Sequence, residues 1–221
     1  MSTIPNFKLI RTIRKTLSIH VTHDGEVIVK APIFIPSGVV RQFVGQKIDW
    51  IKKHVAKTQK LSAKKKKQYT EGEEFMYLGK TYKLHVGNFK EISLTDTLNF
   101  PHSLVFRVGT EIKEWYVRQA KRIITERVKY HADIMKAQYI NIKFSDTISK
   151  WGSCTAENSL QFNWRLIMAP ILVIDYVVVH ELVHTWDKNH GRKFWNKVSY
   201  YKPAYKQYRK WLNDHSRKLL I

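Results

Sequence analysis

The sequence predicts an α+β protein in which a strand-rich N-terminal half precedes a mainly helical C-terminal half. In the stretches 15–30 and 75–108, apolar and polar residues alternate, as they do in half-buried strands. In 109–137, apolar residues recur every three or four positions, which is typical of an amphipathic helix. The stretch 171–183 is apolar on nearly every side, as a buried helix is. Strands followed by helices in this order indicate an α+β fold.

The composition is that of a globular protein with a large excess of positive charge. Of the 221 residues, 43% are apolar, and 39 Lys and Arg against 18 Asp and Glu give a formal net charge of +21. A chain of this length and composition buries a core of its own, which excludes an extended basic tail. The charge predicts attraction to a polyanion, which is nucleic acid, an acidic membrane surface or a phosphorylated ligand.

The sequence also indicates a compartment. The single cysteine, Cys154, excludes a disulfide within the chain. The first residues lack the apolar run of a signal peptide, and the longest apolar stretch, 171–179, is interrupted by Asp175 and is too short to cross a bilayer. We therefore expect a cytoplasmic protein that does not span a membrane.

The first predicted elements are a β-hairpin and a helix. The hairpin is centred on Asp24–Gly25, a dipeptide that suits a tight turn. Pro36 and Ser37 then open a helix that runs to about residue 60, with Ser37 as its expected N-cap. Its apolar positions are Val39, Val40, Phe43, Val44, Ile48, Ile51 and Val55.

Strands are predicted again from residue 75 to residue 108, in three pieces. These pieces are FMYLGKTYKLHVG, EISLTDTLNF and SLVFRV, and short polar or proline-containing turns separate them. The first contains Gly79-Lys80-Thr81, which resembles the end of a phosphate-binding loop. That loop needs a glycine at position 74, where this chain has glutamate, so we interpret the tripeptide as a hairpin turn.

The long helix of 109–137 is followed by two short strands, at 140–144 and 159–166. His131 lies on this helix and is interpreted as an ordinary surface or core histidine. The second strand, SLQFNWRL, places its apolar residues on one face. It could form a sheet edge onto which an extended peptide adds as another strand. A purely structural strand is the alternative.

Chemistry is indicated by an HExxH motif at residues 180–184. On a helix, His180 and His184 lie one turn apart on the same face, so both imidazoles can reach one metal ion. Glu181 lies beside the first histidine and can reach a metal-bound water without being a ligand. The helix is predicted independently of the motif, because Ala169-Pro170 suits a first turn and the residues that follow are apolar.

A catalytic zinc ion takes three protein ligands, so a third is needed. No glutamate follows Glu181, which excludes the class of HExxH enzymes that uses a downstream glutamate. The candidates are Asp187, His190, Asp214 and His215. His190 has the spacing of the HExxHxxGxxH pattern. Asp187 replaces the glycine of that pattern, and Asn189 and Gly191 offer nearby positions for a left-handed turn.

The alternative to a metal site is a pair of core histidines on a buried helix with an unrelated surface histidine. Two histidines and a glutamate buried among valines would each need a polar partner, and one metal ion supplies it for all three. We therefore predict a metal site formed by His180, His184 and His190, with Glu181 within reach of a metal-bound water.

At this point the chain resembles the YgjP-like metallopeptidases, which are relatives of the SprT-like zinc proteases. Four blocks carry the resemblance, namely WGSC at 151–154, QFNWRLIMAP at 161–170, DYVVVHELVH at 175–184 and NHGRKFW at 189–195. The resemblance implies a β-rich N-terminal part and a zincin-like C-terminal part. It also implies a Zn²⁺ ion held by His180, His184 and His190, with Glu181 as the catalytic carboxylate. Lys150 and Gly191 differ from the residues usual in the family, arginine and serine, and neither difference touches the ligands.

We accordingly expect a β-rich region with one helix at 1–108 and a zincin-like region at 109–221, packed as one compact unit. The leading functional hypothesis is a zinc metallopeptidase that acts on a peptide or protein. The second is a metal-dependent nucleotide pyrophosphohydrolase, an assignment also associated with the family. The third is a basic protein associated with nucleic acid, whose zinc is structural; the open fourth position that three histidines leave argues against it.

Several other residues near the motif are candidates for a role. Asp175 could orient a histidine as a hydrogen-bond acceptor, or it could be an exposed carboxylate at the start of a helix. Cys154 is interpreted as a small buried residue, with a thiolate on zinc as the alternative. Tyr176, Tyr200 and Tyr201 are candidates for a donor that stabilises the oxyanion.

Two concentrations of positive charge flank the motif in sequence. Residues 52–67 contain eight lysines without an acidic residue, and residues 188–221 carry ten Lys and Arg against one acidic residue. The lysine run is interpreted as a solvated helix face and linker, with nucleic-acid contact as the alternative. Binding of DNA or RNA that weakens with added salt would support that alternative. The aromatic residues interleaved in the second concentration are more typical of a core than of a base-stacking surface.

Overall fold

The computed structural model describes residues 6–13, 16–22, 25–62, 67–147, 150–216 and 218–219. It shows strands mostly in the N-terminal half and helices mostly in the C-terminal half, which confirms the predicted α+β class. The chain divides into two compact units, Met1–Lys66 and Lys67–Ile221. The boundary predicted after residue 108 falls inside the second unit.

The first unit contains a three-stranded sheet and two helices. The strands are β1 (Lys8–Thr12), β2 (Ser18–Val21) and β3 (Val27–Pro32), and β3 lies between the other two, parallel to β1 and antiparallel to β2. The predicted hairpin is confirmed by the pairing of β2 with β3, although Asp24 itself is outside the described residues. The helices are α1 (Ser37–Gln46) and α2 (Ile48–Ser62).

The single helix predicted from 37 to about 60 is wrong in one respect, because the chain breaks it at Lys47. The backbone of Lys47 leaves the helical region, with φ −109° and ψ 13°, and its N–H donates to the carbonyls of Val44 and Gly45. The predicted N-cap is also wrong. Pro36 occupies the cap position, and the hydroxyl of Ser37 accepts a hydrogen bond from Arg11 Nη2 at 3.1 Å.

The second unit begins with a four-stranded sheet in the order β4-β5-β7-β6. Its strands are β4 (Glu74–Tyr77), β5 (Lys80–Gly87), β6 (Ser93–Leu94) and β7 (Leu98–Pro101). The predicted turn at Gly79 is confirmed: Leu78 and Gly79 have φ values of 48° and 80° and join β4 to β5. A Cβ at Gly79 would lie 2.7 Å from the Pro170 side chain, so the turn requires glycine for its close approach to the chain just before the HExxH helix.

The third predicted strand of this region, SLVFRV, is wrong. Residues His102–Arg107 form a 3₁₀ helix that leads into α3 (Val108–Met135). Pro101 ends β7, and because proline has no N–H it cannot extend the ladder. The alternating apolar residues of this stretch therefore lie on a 3₁₀ helix that follows the end of β7.

The second unit also contains a three-stranded sheet, which positions the functional site. Its strands are β8 (Ile142–Ser145), β9 (Gly152–Cys154) and β10 (Leu160–Asn163). β10 lies in the middle, parallel to β8 and antiparallel to β9. The expectation that SLQFNWRL forms a sheet edge is therefore wrong, because both edges of its strand are paired. In the part of the chain that the structure describes, β9 forms an outer edge of this sheet.

The HExxH helix is α4 (Ile171–Val183), and it is buried on nearly all sides, as predicted. It packs against α3 and β9, and against two C-terminal helices, α5 (Arg192–Tyr201) and α6 (Tyr205–His215). Leu182, Val183 and Phe194 of this region are completely buried. None of the helices in the described part of the chain has the length and hydropathy that crossing a bilayer requires.

Asp175 connects α4 to its neighbours through a buried cluster of charges. Its carboxylate accepts hydrogen bonds from Arg127 Nε and Nη2 at 2.6 and 2.8 Å and from Lys202 Nζ at 3.1 Å, and it lies 3.2 Å from His131 Nε2. Burial alone would raise the pKa of Asp175, but these partners hold it well below its usual range. Asp175 is only 2% exposed, so it is not the exposed carboxylate that the simpler interpretation expected.

We expect Asp175→Asn to lower the free energy of unfolding by about 3 kcal/mol, because it leaves the partly buried Arg127 and Lys202 without their buried counter-ion. Chemical denaturation at pH 7 measures this change. The difference from the wild type should shrink below about pH 4, since a carboxylate with a lowered pKa stabilises the fold only where it is ionised. Asp214→Asn is the control, because Asp214 forms an exposed pair with Lys210. An equal effect of both substitutions would contradict this account.

Candidate metal centre

The three histidines predicted as metal ligands lie together in the structure. His180 is on α4, His184 is at the C-terminal end of that helix, and His190 lies in the segment just before α5. His190 Nε2 is 3.0 Å from His180 Nε2 and 3.2 Å from His184 Nε2. All three ligand atoms fall within 4.8 Å of one another. The fold thus aims three imidazole nitrogens at one point.

The protonation of these histidines suits a metal. His184 Nδ1 lies 2.9 Å from the carbonyl oxygen of Asp187, which can only accept, so Nδ1 carries the proton and Nε2 has a free lone pair. Burial lowers the pKa of His180 to about 3, with further contributions from His184, His190 and Arg209. Burial also lowers the pKa of His184. Both imidazoles are therefore neutral at physiological pH, as metal ligands must be.

The spacing of the nitrogens fits a tetrahedral ion. Two nitrogens bound about 2.0 Å from one tetrahedral zinc ion lie roughly 3.3 Å apart, close to the separations of 3.0 and 3.2 Å that link His190 to its two neighbours. Three imidazoles also match the ligands that zinc, a borderline-soft ion, prefers. The residues present therefore fit a zinc ion. His180 Nδ1 is buried and has no hydrogen-bond partner among the described atoms.

Aromatic side chains of α5 hold the triad from one side. The Phe194 ring lies 4.5–4.9 Å from the rings of all three histidines, measured between centroids. The Trp195 ring lies 5.8 Å from His180 and 5.7 Å from His190. Phe194 itself is completely buried. These contacts fix the orientation of the imidazole rings.

The turn between His184 and His190 differs from the predicted one. Neither Asn189 nor Gly191 has a positive φ, so the turn uses no left-handed backbone conformation at these two positions. Instead, the carbonyl of Asp187 accepts from His184, and its carboxylate pairs with Lys197 of α5. Asp187, which replaces the glycine of the HExxHxxGxxH pattern, thus contacts His184 through its backbone and Lys197 through its side chain.

Glu181 is buried beside the triad, at 4% exposure. Burial raises the pKa of its carboxyl group to about 8, and the positive charge of Lys150 partly opposes this. Strand β9 passes directly against it: a Cβ at Gly152 would lie 2.6 Å from Glu181 Oε1 and 2.7 Å from its Cγ. Glycine at this position therefore makes room for the glutamate. The sequence analysis missed this role, although the glycine of the WGSC block was a signal.

The other candidate residues are not brought into the triad. Asp214 pairs with Lys210, and the His215 ring stacks on Trp211 at 4.2 Å between centroids. Cys154 is partly exposed, and its sulfur lies 3.7 Å from Lys188 Nζ. Burial raises the pKa of this thiol, which disfavours a free thiolate.

Of the three tyrosines considered as oxyanion donors, Tyr176 lies nearest to the triad. Its ring meets His180 edge to face, with centroids 5.9 Å apart. Tyr200, by contrast, is 79% exposed, and its ring meets that of Tyr201. Tyr201 is partly buried against the core. These contacts favour Tyr176 over the other two, and the donor itself stays a prediction.

The two stretches rich in Lys and Arg, 52–67 and 188–221, differ in how the structure places their side chains. Lys52 and Lys53 are exposed on α2, while the side chains from Lys57 to Lys66 lie outside the described part of the chain. In the C-terminal concentration, Tyr205, Tyr208 and Trp211 pack against the core. Their packing agrees with the core interpretation of these aromatic residues. Nucleic-acid association stays a prediction.

The chain is similar to a known protein family. A family model described as "YgjP-like, metallopeptidase domain" matches residues 15–215, which is most of the chain. No curated protein and no solved structure matches.

Proposed function

Because the chain belongs to the YgjP-like metallopeptidase family, we propose that it is a zinc-dependent peptidase. The observation that carries this proposal is the convergence of three imidazole nitrogens beside one buried carboxylate. His180, His184 and His190 would hold the metal, and three protein ligands leave its fourth position to water or substrate. This open position favours a catalytic ion over a structural one.

In this proposal, the histidines and Glu181 have different tasks. A bound zinc ion supplies a Lewis acid that makes water a nucleophile near neutral pH. With its carboxyl group ionised beside the bound cation, Glu181 would accept the proton of the attacking water and then donate it to the leaving amine. Its burial against Gly152 keeps bulk water away from the carboxyl group and fixes its position. The carbonyl of Asp187 holds the His184 ring in the orientation that directs Nε2 towards the metal.

Strand β9 supports a peptide as the substrate. In the described chain it pairs with β10 on one side only, and its residue Gly152 touches Glu181. An extended peptide that added to the free edge of β9 would form main-chain hydrogen bonds and place one of its peptide bonds near Glu181. We therefore assign the role of the substrate-binding edge to β9, in place of β10.

A nucleotide is the second candidate substrate, and two lysines near the site favour it. The charge of Lys150 reaches Glu181, and the charge of Lys188 reaches His184. Positive charge at the rim of a site attracts phosphate groups. However, Lys188 Nζ already lies within reach of Thr155 O at 2.7 Å and Asn158 Oδ1 at 2.5 Å, so much of its donor capacity is used within the protein.

A substrate screen with matched metal states tests the proposal. We expect the zinc-loaded protein to cleave members of a peptide library, the metal-depleted protein to cleave none, and added zinc to restore cleavage. Mass spectrometry of the products identifies the bonds that are cut. Zinc-dependent release of pyrophosphate from nucleoside triphosphates, without cleavage of any peptide, would overturn the peptidase assignment in favour of the second candidate.

A further inference from the structure

Arg209 lies close to the metal centre on a helix that supplies none of the ligands. It belongs to α6, and its guanidinium carbon lies 5.4 Å from the centre of the Trp195 ring. That ring is itself within 6 Å of the His180 and His190 rings, at 5.8 and 5.7 Å. The guanidinium is thus separated from the metal ligands by a single aromatic side chain.

The ring on which the guanidinium lies is itself packed against a neighbour. The Tyr205 ring stacks on Trp195, with centroids 5.3 Å apart and planes 21° apart. A guanidinium over the face of a tryptophan is attracted by the ring and keeps a defined plane. Trp195 also contacts the histidines, so the same ring borders both Arg209 and the metal centre.

Arg209 nevertheless keeps its charge unpaired among the described residues. Three lysines of the same C-terminal region have carboxylate partners: Lys197 pairs with Asp187, Lys202 with Asp175 and Lys210 with Asp214. No described carboxylate pairs with Arg209, which is exposed. An exposed guanidinium that lies over an aromatic ring beside a metal centre, without a counter-ion among the described residues, is suited to bind an anionic group of a ligand.

We propose that Arg209 binds a carboxylate of the substrate peptide, which makes it a specificity-determining residue of the proposed peptidase. The inference rests on the proposed function. One guanidinium presents two parallel N–H donors that match the two oxygens of a single carboxylate. A nucleoside triphosphate carries several anionic groups, whereas this one fork matches a single carboxylate. The carboxylate is that of the peptide C-terminus or that of an acidic side chain.

Binding to an inactive form of the enzyme tests this inference without turnover. The zinc-loaded Glu181→Gln protein is titrated calorimetrically with peptides that the wild type cleaves. Each peptide is compared with its C-terminal amide and with a version in which Asp and Glu are replaced by Asn and Gln. We expect one of these neutral versions to bind about tenfold more weakly or worse, and the version affected identifies which carboxylate is bound.

A second substitution attributes the preference to Arg209. Adding Arg209→Gln should remove the preference for the carboxylate form, and Arg209→Lys should restore part of it. Lys210→Gln, on the next residue of the same helix, is the control and should leave the preference intact. A preference that persists in Arg209→Gln, or that is absent from the parent protein, would overturn the inference while peptide cleavage by the wild type still stands. If the wild type cleaves no peptide, the proposed function fails, and the inference fails with it.

Discussion

The Glu181→Gln protein is expected to bind one zinc ion and to lose about 10²–10⁴-fold in kcat, the usual contribution of a general base. Glutamine has nearly the same shape as glutamate, so the contact with Gly152 and the burial of the side chain are retained. It cannot accept the proton of the attacking water. Metal analysis of the purified protein and the rate of cleavage of a peptide found in the screen measure the two parts of this prediction.

Glu126→Gln is a matched control for this substitution. Glu126 lies on the exposed face of α3 and pairs with Arg122. An exposed pair of this kind contributes little to stability, and the control should keep full activity. Unchanged cleavage by Glu181→Gln would remove that residue from the mechanism. Loss of zinc along with activity would instead assign Glu181 a role in holding the metal centre together.

Gly152→Ala is expected to produce the second largest effect, about a 10²-fold fall in kcat. The new methyl group would lie 2.6 Å from Glu181 Oε1 and 2.8 Å from its Cδ, so the carboxyl group must move. A displacement of about 1 Å in a catalytic group can lower a rate by that factor. The three atoms nearest to the new methyl group all belong to Glu181, so zinc binding should persist.

Gly191→Ala is the matched control for Gly152→Ala. Gly191 directly follows His190, yet a Cβ at this position meets no atom within 4 Å, and its φ of −77° is open to any residue. The control should therefore keep its activity and its zinc. Wild-type activity in Gly152→Ala would show that the site tolerates movement of Glu181, which would contradict the proposed positioning of this carboxyl group by β9.

Much of the fold could be predicted because local patterns decide it. The hairpin at Gly79 and the buried helix α4 follow from turn chemistry and from the length of an apolar run. The break at Lys47 could not be predicted, since apolar spacing continues across it. The position of β10 in the middle of its sheet could not be predicted either. Strand order depends on which elements pair at long range, and the alternation within one strand does not show this.

Some residues of the candidate site could be predicted from the sequence, and others could not. The HExxH motif and the spacing of His190 locate the three histidines and Glu181, because a helix places residues four apart on one face. Gly152 and Arg209 come from distant parts of the chain, and only the packing of β9 and α6 brings them near α4. The carbonyl of Asp187 has no signature in the sequence, since every residue has one.

X-ray absorption spectroscopy of the zinc-loaded protein tests most directly the claim that three histidines hold a catalytic zinc ion with an open position. The structure predicts one zinc per chain, bound by three imidazole nitrogens and one light atom from water. A sulfur neighbour at about 2.3 Å would place Cys154 on the metal. That result, a fourth imidazole, or the absence of stoichiometric zinc would contradict the account.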